Sequence, residues 1–171
     1  MMIENNKIKL SNGGVLSTAE RYLERALDSL KKGKYDDALS DLDEAVNLER
    51  RNPELYATRG YVQLESGQSE DAENDFATAL KIDPTQWIVY FARGKHAFDA
   101  GDYDTAIRHF RDGTKIAPMQ PELYIFRAAA YYQKGDKKAA EREIDDALQT
   151  MQPKDKRNGI ARKWKNAIKK G

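Results

Sequence analysis

Residues 56–60 read YATRG, and near-copies of this pentapeptide begin at three other tyrosines of the chain. The copies are YLERA from Tyr22, YFARG from Tyr90 and YIFRA from Tyr124, so successive tyrosines are always 34 residues apart. A fixed interval of this length indicates tandem structural repeats, each of them one supersecondary unit. We therefore divide the chain into four units, residues 19–52, 53–86, 87–120 and 121–154.

Small and bulky residues recur at fixed positions of the four units. The eighth residue is always small: Ala26, Gly60, Gly94 and Ala128. The fifteenth is always glycine: Gly33, Gly67, Gly101 and Gly135. The twenty-fourth is always bulky and apolar: Leu42, Phe76, Phe110 and Ile144. Apolar and small residues at helical spacing predict two amphipathic helices per unit, and the glycine permits the left-handed backbone that ends the first helix.

The composition excludes several classes of protein. The 29 basic and 28 acidic side chains leave a net charge of +1, which argues against a nucleic-acid binder that uses its whole surface. The absence of cysteine excludes disulfides, thiolate metal sites and a cysteine nucleophile. No apolar run reaches the roughly 18 residues of a membrane span, and residues 1–14 lack the features of a secretory signal. These features predict a cytoplasmic protein.

The sequence contains no constellation typical of catalysis. It has no glycine-rich phosphate loop, no paired nucleophile and base, and no spacing of metal ligands. Its two histidines, His96 and His109, have no cluster of carboxylates to complete a metal site. We therefore expect no enzymatic activity, no metal and no cofactor.

The pattern resembles the tetratricopeptide repeat, whose 34-residue helix–turn–helix consensus carries an aromatic, a small residue, an alanine, a large apolar residue and a proline at these offsets. The resemblance covers residues 19–154 and implies an all-α fold, a right-handed α-solenoid whose first helices line a concave face. We expect one such domain over residues 17–171. The closing proline departs from the consensus, because Arg50 replaces it in the first unit and Pro153 is displaced in the last.

A second departure is that the consensus leucine at the seventh position is arginine in all four units. Sixteen residues later three units carry an acid, which predicts ion pairs between the two helices of a unit: Arg25–Asp41, Arg59–Asp75 and Arg127–Glu143. In the third unit Arg93 is followed at this offset by His109. The alternative is a ladder of arginines that binds an acidic ligand.

The resemblance also implies which side chains line the concave groove. They are Leu23, Leu27, Ala57, Tyr61, Leu64, Phe91, Lys95, Phe98, Ile125, Phe126, Ala129 and Tyr132. A groove this rich in aromatic and aliphatic residues favours an apolar extended peptide or an amphipathic helix as its ligand. The alternative is that some of these side chains pack between neighbouring helices, above all Leu64, Phe98 and Tyr132 at the twelfth position.

One subclass of the family binds acidic C-terminal tails of chaperones through a clamp of lysine, asparagine and arginine. In units one to three the corresponding residues are Leu23, Leu27, Thr58, Ile88 and Ala92. In units two to four they are Ala57, Tyr61, Ala92, Glu122 and Phe126. Neither set supplies the cations that hold a carboxylate, so we expect no binding of chaperone tails.

The two ends of the chain lie outside the repeats. Residues 1–16 combine a few apolar side chains with the sequence NGG, which predicts a flexible extension, or alternatively a built-in ligand of the groove. Residues 154–171 carry eight basic side chains and one acid, a charge of +7 that leaves −6 on the rest of the chain. Ile160, Trp164 and Ile168 lie four residues apart, which predicts a helix over about residues 155–170 that caps the last unit. The alternative is a basic amphipathic anchor for anionic lipid or nucleic acid.

The leading hypothesis from the sequence is a non-enzymatic scaffold that binds a protein or peptide in its concave groove. The alternative is an adaptor held on an anionic membrane or nucleic acid by its basic C-terminal helix, although we expect neither as the main partner. Self-association of stacked solenoids is a third hypothesis.

Overall fold

The computed structural model describes residues 8–9 and 15–170, and in this part of the chain a short β pair precedes nine α-helices. Strand β1 (Ile8–Lys9) pairs antiparallel with β2 (Val15–Leu16), with Ile8 opposite Leu16. The sequence pattern did not predict this pairing. The rest of the predicted flexible extension, residues 1–7 and 10–14, lies outside the described residues, as does its suggested place in the groove.

Eight of the nine described helices form pairs, and each pair corresponds to one 34-residue unit. The pairs are α1 (Thr18–Lys31) with α2 (Tyr35–Leu48), α3 (Pro53–Glu65) with α4 (Ser69–Ile82), α5 (Trp87–Asp99) with α6 (Tyr103–Ile116), and α7 (Pro121–Gln133) with α8 (Lys137–Thr150). A final helix, α9 (Arg157–Lys170), follows the fourth pair. The observed elements therefore follow the repeat that the tyrosine spacing predicts.

Local signals in the sequence set the helix ends. The four glycines at the fifteenth positions all have positive φ, between 69° and 85°. At the first of them the Gly33 amide donates to Leu30 and the Lys34 amide donates to Ser29, both at 2.9 Å, which is the bonding of a Schellman C-cap. Ser17 and Glu20 form a reciprocal capping box at the start of α1. Pro53 and Pro121 begin α3 and α7, where a helix needs no amide donor.

Two glycines allow the helices of a pair to approach closely. A Cβ atom on Gly94 would lie 2.6 Å from the Phe110 ring, and one on Gly60 would lie 2.7 Å from the Phe76 ring. Both rings are fully buried. The small eighth residue of a repeat therefore makes room for the bulky twenty-fourth residue of the same repeat.

The chain divides into two compact units, Met1–Val89 and Tyr90–Gly171, which we call unit 1 and unit 2. They are distinct from the four 34-residue units of the sequence, which we call repeats. The core of unit 1 includes a buried cluster that joins α1 and α2 to α3: Ala26, Ala38, Leu42 and Val62. The core of unit 2 includes a buried cluster that joins α7 and α8 to α9: Ala128, Ala140, Ile144, Ala147, Met151, Ala161 and Ile168. Each unit therefore has an apolar core of its own.

The C-terminal helix α9 contributes one apolar face to the core of unit 2. Ala161 and Ile168 are buried there, and the Trp164 ring packs edge-on against Tyr132 with 6.1 Å between the ring centroids. Ile160 is 54% exposed, so its predicted place on this face is wrong, and Ala161 occupies that place instead. The helix therefore covers α7 and α8 through Ala161, Trp164 and Ile168.

Basic side chains of α9 pair with acids of the two preceding helices. Lys165 Nζ lies 2.5 Å from an Asp145 oxygen, and Lys169 Nζ lies 3.2 Å from a Glu141 oxygen, both on α8. Arg157 forms an ion pair with Glu122 at the start of α7. Lys165 and Lys169 thus take part in docking α9, and charge as well as apolar contact holds this helix in place.

We expect Trp164→Ala to lower the free energy of unfolding by about 2 kcal/mol, because a large apolar side chain loses its contacts with Tyr132 and the core of unit 2. Chemical denaturation measures the loss, and hydrogen exchange should show α9 and α8 opening first. The matched control is Ile160→Ala on the same helix, which should change stability by less than about 0.5 kcal/mol because Ile160 is exposed. Equal effects of the two substitutions would contradict the docking described above.

Candidate functional site

Five aromatic residues of unit 2 form one cluster, which we call the aromatic cluster: Phe91, Phe98, Tyr103, Phe110 and Phe126. The Phe126 ring lies at its centre, with centroid distances of 5.1 Å to Phe91, 6.0 Å to Phe110 and 6.5 Å to Phe98. Phe91 and Phe98 meet Phe126 almost at right angles, which is a favoured geometry for aromatic pairs. The cluster therefore joins α5, α6 and α7.

The rings of the aromatic cluster differ in exposure. Phe110 is fully buried and forms the floor, whereas Phe91, Phe98 and Phe126 are half-buried. These three are predicted groove residues, and they come from the first helices of two consecutive repeats, α5 and α7. The structure thus brings them together as one partly exposed apolar surface.

The other predicted groove residues of unit 2 lie in different surroundings. Lys95 is half-buried and its Nζ lies 2.6 Å from an Asp99 oxygen one turn along α5. Ile125 and Tyr132 pack against the core that α7 shares with α8 and α9. Ala129 is only 6% exposed, so its assignment as a partner-binding residue is wrong.

In unit 1 the predicted groove residues differ in exposure. Leu27 is 38% exposed, and Leu23 and Tyr61 are half-buried. Ala57 is fully buried and Leu64 is 7% exposed, so neither can bind a partner as predicted, and both belong to the core instead. Helix α3 packs against both α2 and α4.

Three of the four seventh-position arginines, Arg25, Arg59 and Arg127, lie beside the acids sixteen residues later. Arg59 donates to both carboxylate oxygens of Asp75, from Nε at 2.7 Å and from Nη2 at 2.8 Å. It also donates to Asp43 of the preceding repeat at 2.9 Å. Arg25 donates from Nε to Asp41 at 2.6 Å, although its own side chain is 65% exposed. These bidentate contacts link the two helices of a repeat, and in Arg59 they also link consecutive repeats.

Arg127 is the most buried member of this set. It donates from Nη2 to Glu143 at 2.6 Å and from Nη1 to Thr114 of the preceding repeat at 2.9 Å. Its Nε is buried and donates to no described acceptor. Burial raises the pKa of Glu143, and the hydrogen bond from Arg127 opposes that shift. All three arginines pair with a carboxylate of their own repeat, and in Arg59 and Arg127 that pair is largely buried, which argues against a ladder of arginines that binds an acidic ligand.

The repeated tyrosine and arginine contact each other, which was not predicted from the sequence. The guanidinium carbon of the arginine lies over the ring of the tyrosine three residues earlier, at 5.1 Å for Tyr22, 5.6 Å for Tyr56 and 5.4 Å for Tyr124. The signal was present in the sequence, because residues three apart share one face of a helix. In these three repeats the pentapeptide therefore supplies a tyrosine and an arginine in contact, and the arginine also pairs with an acid of the second helix.

The residues at the positions of the chaperone-tail clamp do not form a cationic surface. Thr58 and Ala92 are buried, and Glu122 is itself an anion paired with Arg157. That no chaperone tail binds stays a prediction.

Neither a metal centre nor a membrane-spanning helix is found in the part of the chain that the structure describes. Among these residues no three histidine, aspartate or glutamate side chains are grouped so that they would hold a metal ion. None of the described helices has both the length and the apolar character that crossing a bilayer requires.

Comparison with known families identifies the repeat. Two family models, both described as tetratricopeptide repeat, match residues 29–92 and 91–156. The chain belongs to the tetratricopeptide repeat family. The predicted fold class, an all-α solenoid of helix–turn–helix repeats, is thereby confirmed, and this class of fold supports protein–protein interaction.

Solved structures of other tetratricopeptide repeat proteins share the fold. A thermophilic member from Thermus thermophilus is 18% identical, with a TM-score of 0.66 over 88% of this chain and 80% of its own. The type III secretion chaperone SycD of Yersinia enterocolitica, solved with a peptide of the translocator YopD, is 23% identical, with a TM-score of 0.57 over 67% of this chain and 89% of its own. MamA is 22% identical, with a TM-score of 0.55 over 77% of each chain. No curated protein matches the sequence.

Proposed function

We propose that this tetratricopeptide repeat protein is a non-catalytic scaffold whose aromatic cluster binds an apolar segment of a protein partner. The observation that carries the proposal is the grouping of Phe91, Phe98 and Phe126, half-buried and in mutual contact, on two consecutive first helices. Partly exposed aromatic side chains held by a rigid floor are typical of the energetic centres of protein interfaces.

The geometry favours an extended peptide or an amphipathic helix as the bound segment. The three rings present apolar surface, while Lys95 and Asp99 on α5 form a polar pair beside them. A ligand with one apolar side and one polar side would match this arrangement. The SycD structure, which contains a bound peptide, supports peptide binding by this fold. Cytoplasmic location and self-association stay predictions.

Selection from a phage-displayed library of random peptides tests the proposal directly. We expect the enriched peptides to share apolar anchor residues, and we expect Phe98→Ser to weaken their binding by roughly 30-fold, the effect of losing one hot-spot side chain. Phe98 is chosen because its described ring contacts are with Tyr103 and Phe126 and not with the buried Phe110. Titration calorimetry measures the change in affinity.

The matched control is Leu48→Ser, which removes an apolar side chain that is 54% exposed on α2 of unit 1. It should leave peptide affinity unchanged, and circular dichroism should show both variants folded. Enriched peptides that bind the Phe98→Ser variant as tightly as the natural protein would place the binding site elsewhere. A peptide that copies an acidic chaperone tail should show no binding.

A further inference from the structure

The C-terminal helix α9 has an outward face that its capping role does not use. Lys163 lies on this face, Arg162 lies at its edge, and Lys154 and Lys156 lie in the turn before the helix. All four are exposed, and none of them pairs with a carboxylate among the described residues. The capping face and this outward face are different sides of one helix, so cap and anchor are not exclusive alternatives.

The positive charges of the outward face take no part in the described ion pairs of α9. The ion pairs of α9 use Arg157, Lys165 and Lys169, which point toward α7 and α8. Residues 154–171 as a whole carry +7 in a chain of net charge +1. Since four exposed cations without a described carboxylate partner lie within residues 154–163, they fit a surface of high negative charge.

An exposed apolar side chain on this face distinguishes between an anionic lipid surface and a nucleic acid as the polyanion. Ile160 is 54% exposed, and Lys163 and Ala167, three and seven residues later on the same face, are also exposed. An apolar side chain between lysines is stabilised at the boundary between lipid headgroups and acyl chains, because it leaves water there. The phosphate backbone of a nucleic acid has no apolar surface that it could contact. The ring that would stack on an unpaired base, Trp164, is half-buried against Tyr132.

We propose that the outward face of α9 docks this protein on an anionic lipid surface. Lys154, Lys156, Arg162 and Lys163 contact the headgroups, and Ile160 enters the interfacial layer between them. The remaining residues, 1–153, carry −6 and are repelled by the same surface, so the charge distribution orients the protein with α9 toward the lipid. This docking uses residues outside the aromatic cluster and does not depend on the proposed peptide binding.

Binding of the full chain to vesicles tests the proposal. The probe is a vesicle of phosphatidylcholine containing roughly one-third phosphatidylserine, in about 0.1 M salt, with pure phosphatidylcholine for comparison. We expect binding to the anionic vesicles alone. The variant Lys154→Gln, Lys156→Gln, Arg162→Gln, Lys163→Gln should bind more than about 100-fold more weakly, because each lost cation is worth about fivefold near such a surface.

Two control variants separate this face from net charge and from folding. The variant Lys31→Gln, Lys32→Gln, Arg50→Gln, Arg51→Gln removes the same number of exposed cations from unit 1 and should bind the vesicles unchanged. Ile160→Ser should weaken binding by roughly threefold to tenfold with no loss of helix content. Since the four neutralised residues of the test variant have no described ion pairs, its melting temperature should match that of the natural protein.

Three results would overturn the proposal. The first is that the natural protein fails to bind anionic vesicles. The second is that the variant neutralised at the outward face binds them as tightly as the natural protein does. The third is tight binding to a short duplex DNA, lost in the same variant and unaffected by Ile160→Ser, which would assign the face to nucleic acid. Sedimentation with vesicles and fluorescence anisotropy with the duplex measure these outcomes.

Discussion

Phe110→Ala is expected to lower the free energy of unfolding by about 3–5 kcal/mol, one of the two largest effects of a single substitution that we predict for this protein. The Phe110 ring is fully buried and lies 6.2 Å from the Phe91 ring and 6.0 Å from the Phe126 ring, measured between centroids. Removing it leaves a cavity under the aromatic cluster that the two neighbouring rings fill only in part. Urea denaturation followed by circular dichroism measures the loss.

Gly94 provides the control for this effect. In the natural protein a methyl group at Gly94 would lie 2.6 Å from the Phe110 ring, so Gly94→Ala should cost about 1–3 kcal/mol through overpacking. This cost outweighs the roughly 1 kcal/mol that alanine gains over glycine in a helix. In the Phe110→Ala variant the same substitution should be stabilising, because the ring is gone and the methyl group fills part of the cavity. Additive effects of the two substitutions would contradict the packing described here.

Glu143→Ala is expected to cost about 3–5 kcal/mol, because it leaves the buried guanidinium of Arg127 without its counter-charge. The equivalent change in the first repeat, Asp41→Ala, should cost much less, since Arg25 is 65% exposed and water can solvate it. Denaturation of the two variants side by side measures the contrast. Equal losses would show that burial does not decide the strength of these pairs.

A double substitution distinguishes loss of the pair from loss of packing. Arg127→Met combined with Glu143→Leu removes both charges and keeps apolar volume, so it should recover most of the stability lost in Glu143→Ala. Failure to recover would indicate that the hydrogen bond between Arg127 and Thr114 matters more than the ion pair.

Periodic features of the sequence were sufficient to predict the helices and the turns between them. A glycine that recurs every 34 residues ends each first helix, and its positive φ is the physical reason for its recurrence. The offset of sixteen residues between arginine and acid likewise follows from the spacing of the two helices in a repeat. Such features depend only on a residue and its own repeat, so the sequence of a single repeat is sufficient to predict them.

Exposure could not be predicted in the same way, because it depends on neighbours that differ between repeats. The fifth position is buried Ala57 in one repeat and half-buried Phe91 in the next. The error at Ile160 has a geometric cause. Steps of four residues advance about 40° beyond a full turn, so Ile160 lies roughly 80° around the helix from Ile168. Ala161 lies closer to the buried direction, but its small side chain gives only a weak apolar signal in the sequence.

The contacts of Arg127 have a consequence for how this protein divides. Its guanidinium joins Thr114 on α6 to Glu143 on α8, while its backbone belongs to α7. A cut between residues 120 and 121, at the edge of the sequence repeat, would leave the Arg127 guanidinium on one fragment and Thr114, its hydroxyl acceptor, on the other. The repeat boundary in the sequence is therefore not a boundary of contacts, and we expect a fragment that begins at residue 121 to be less stable than one that also contains α6.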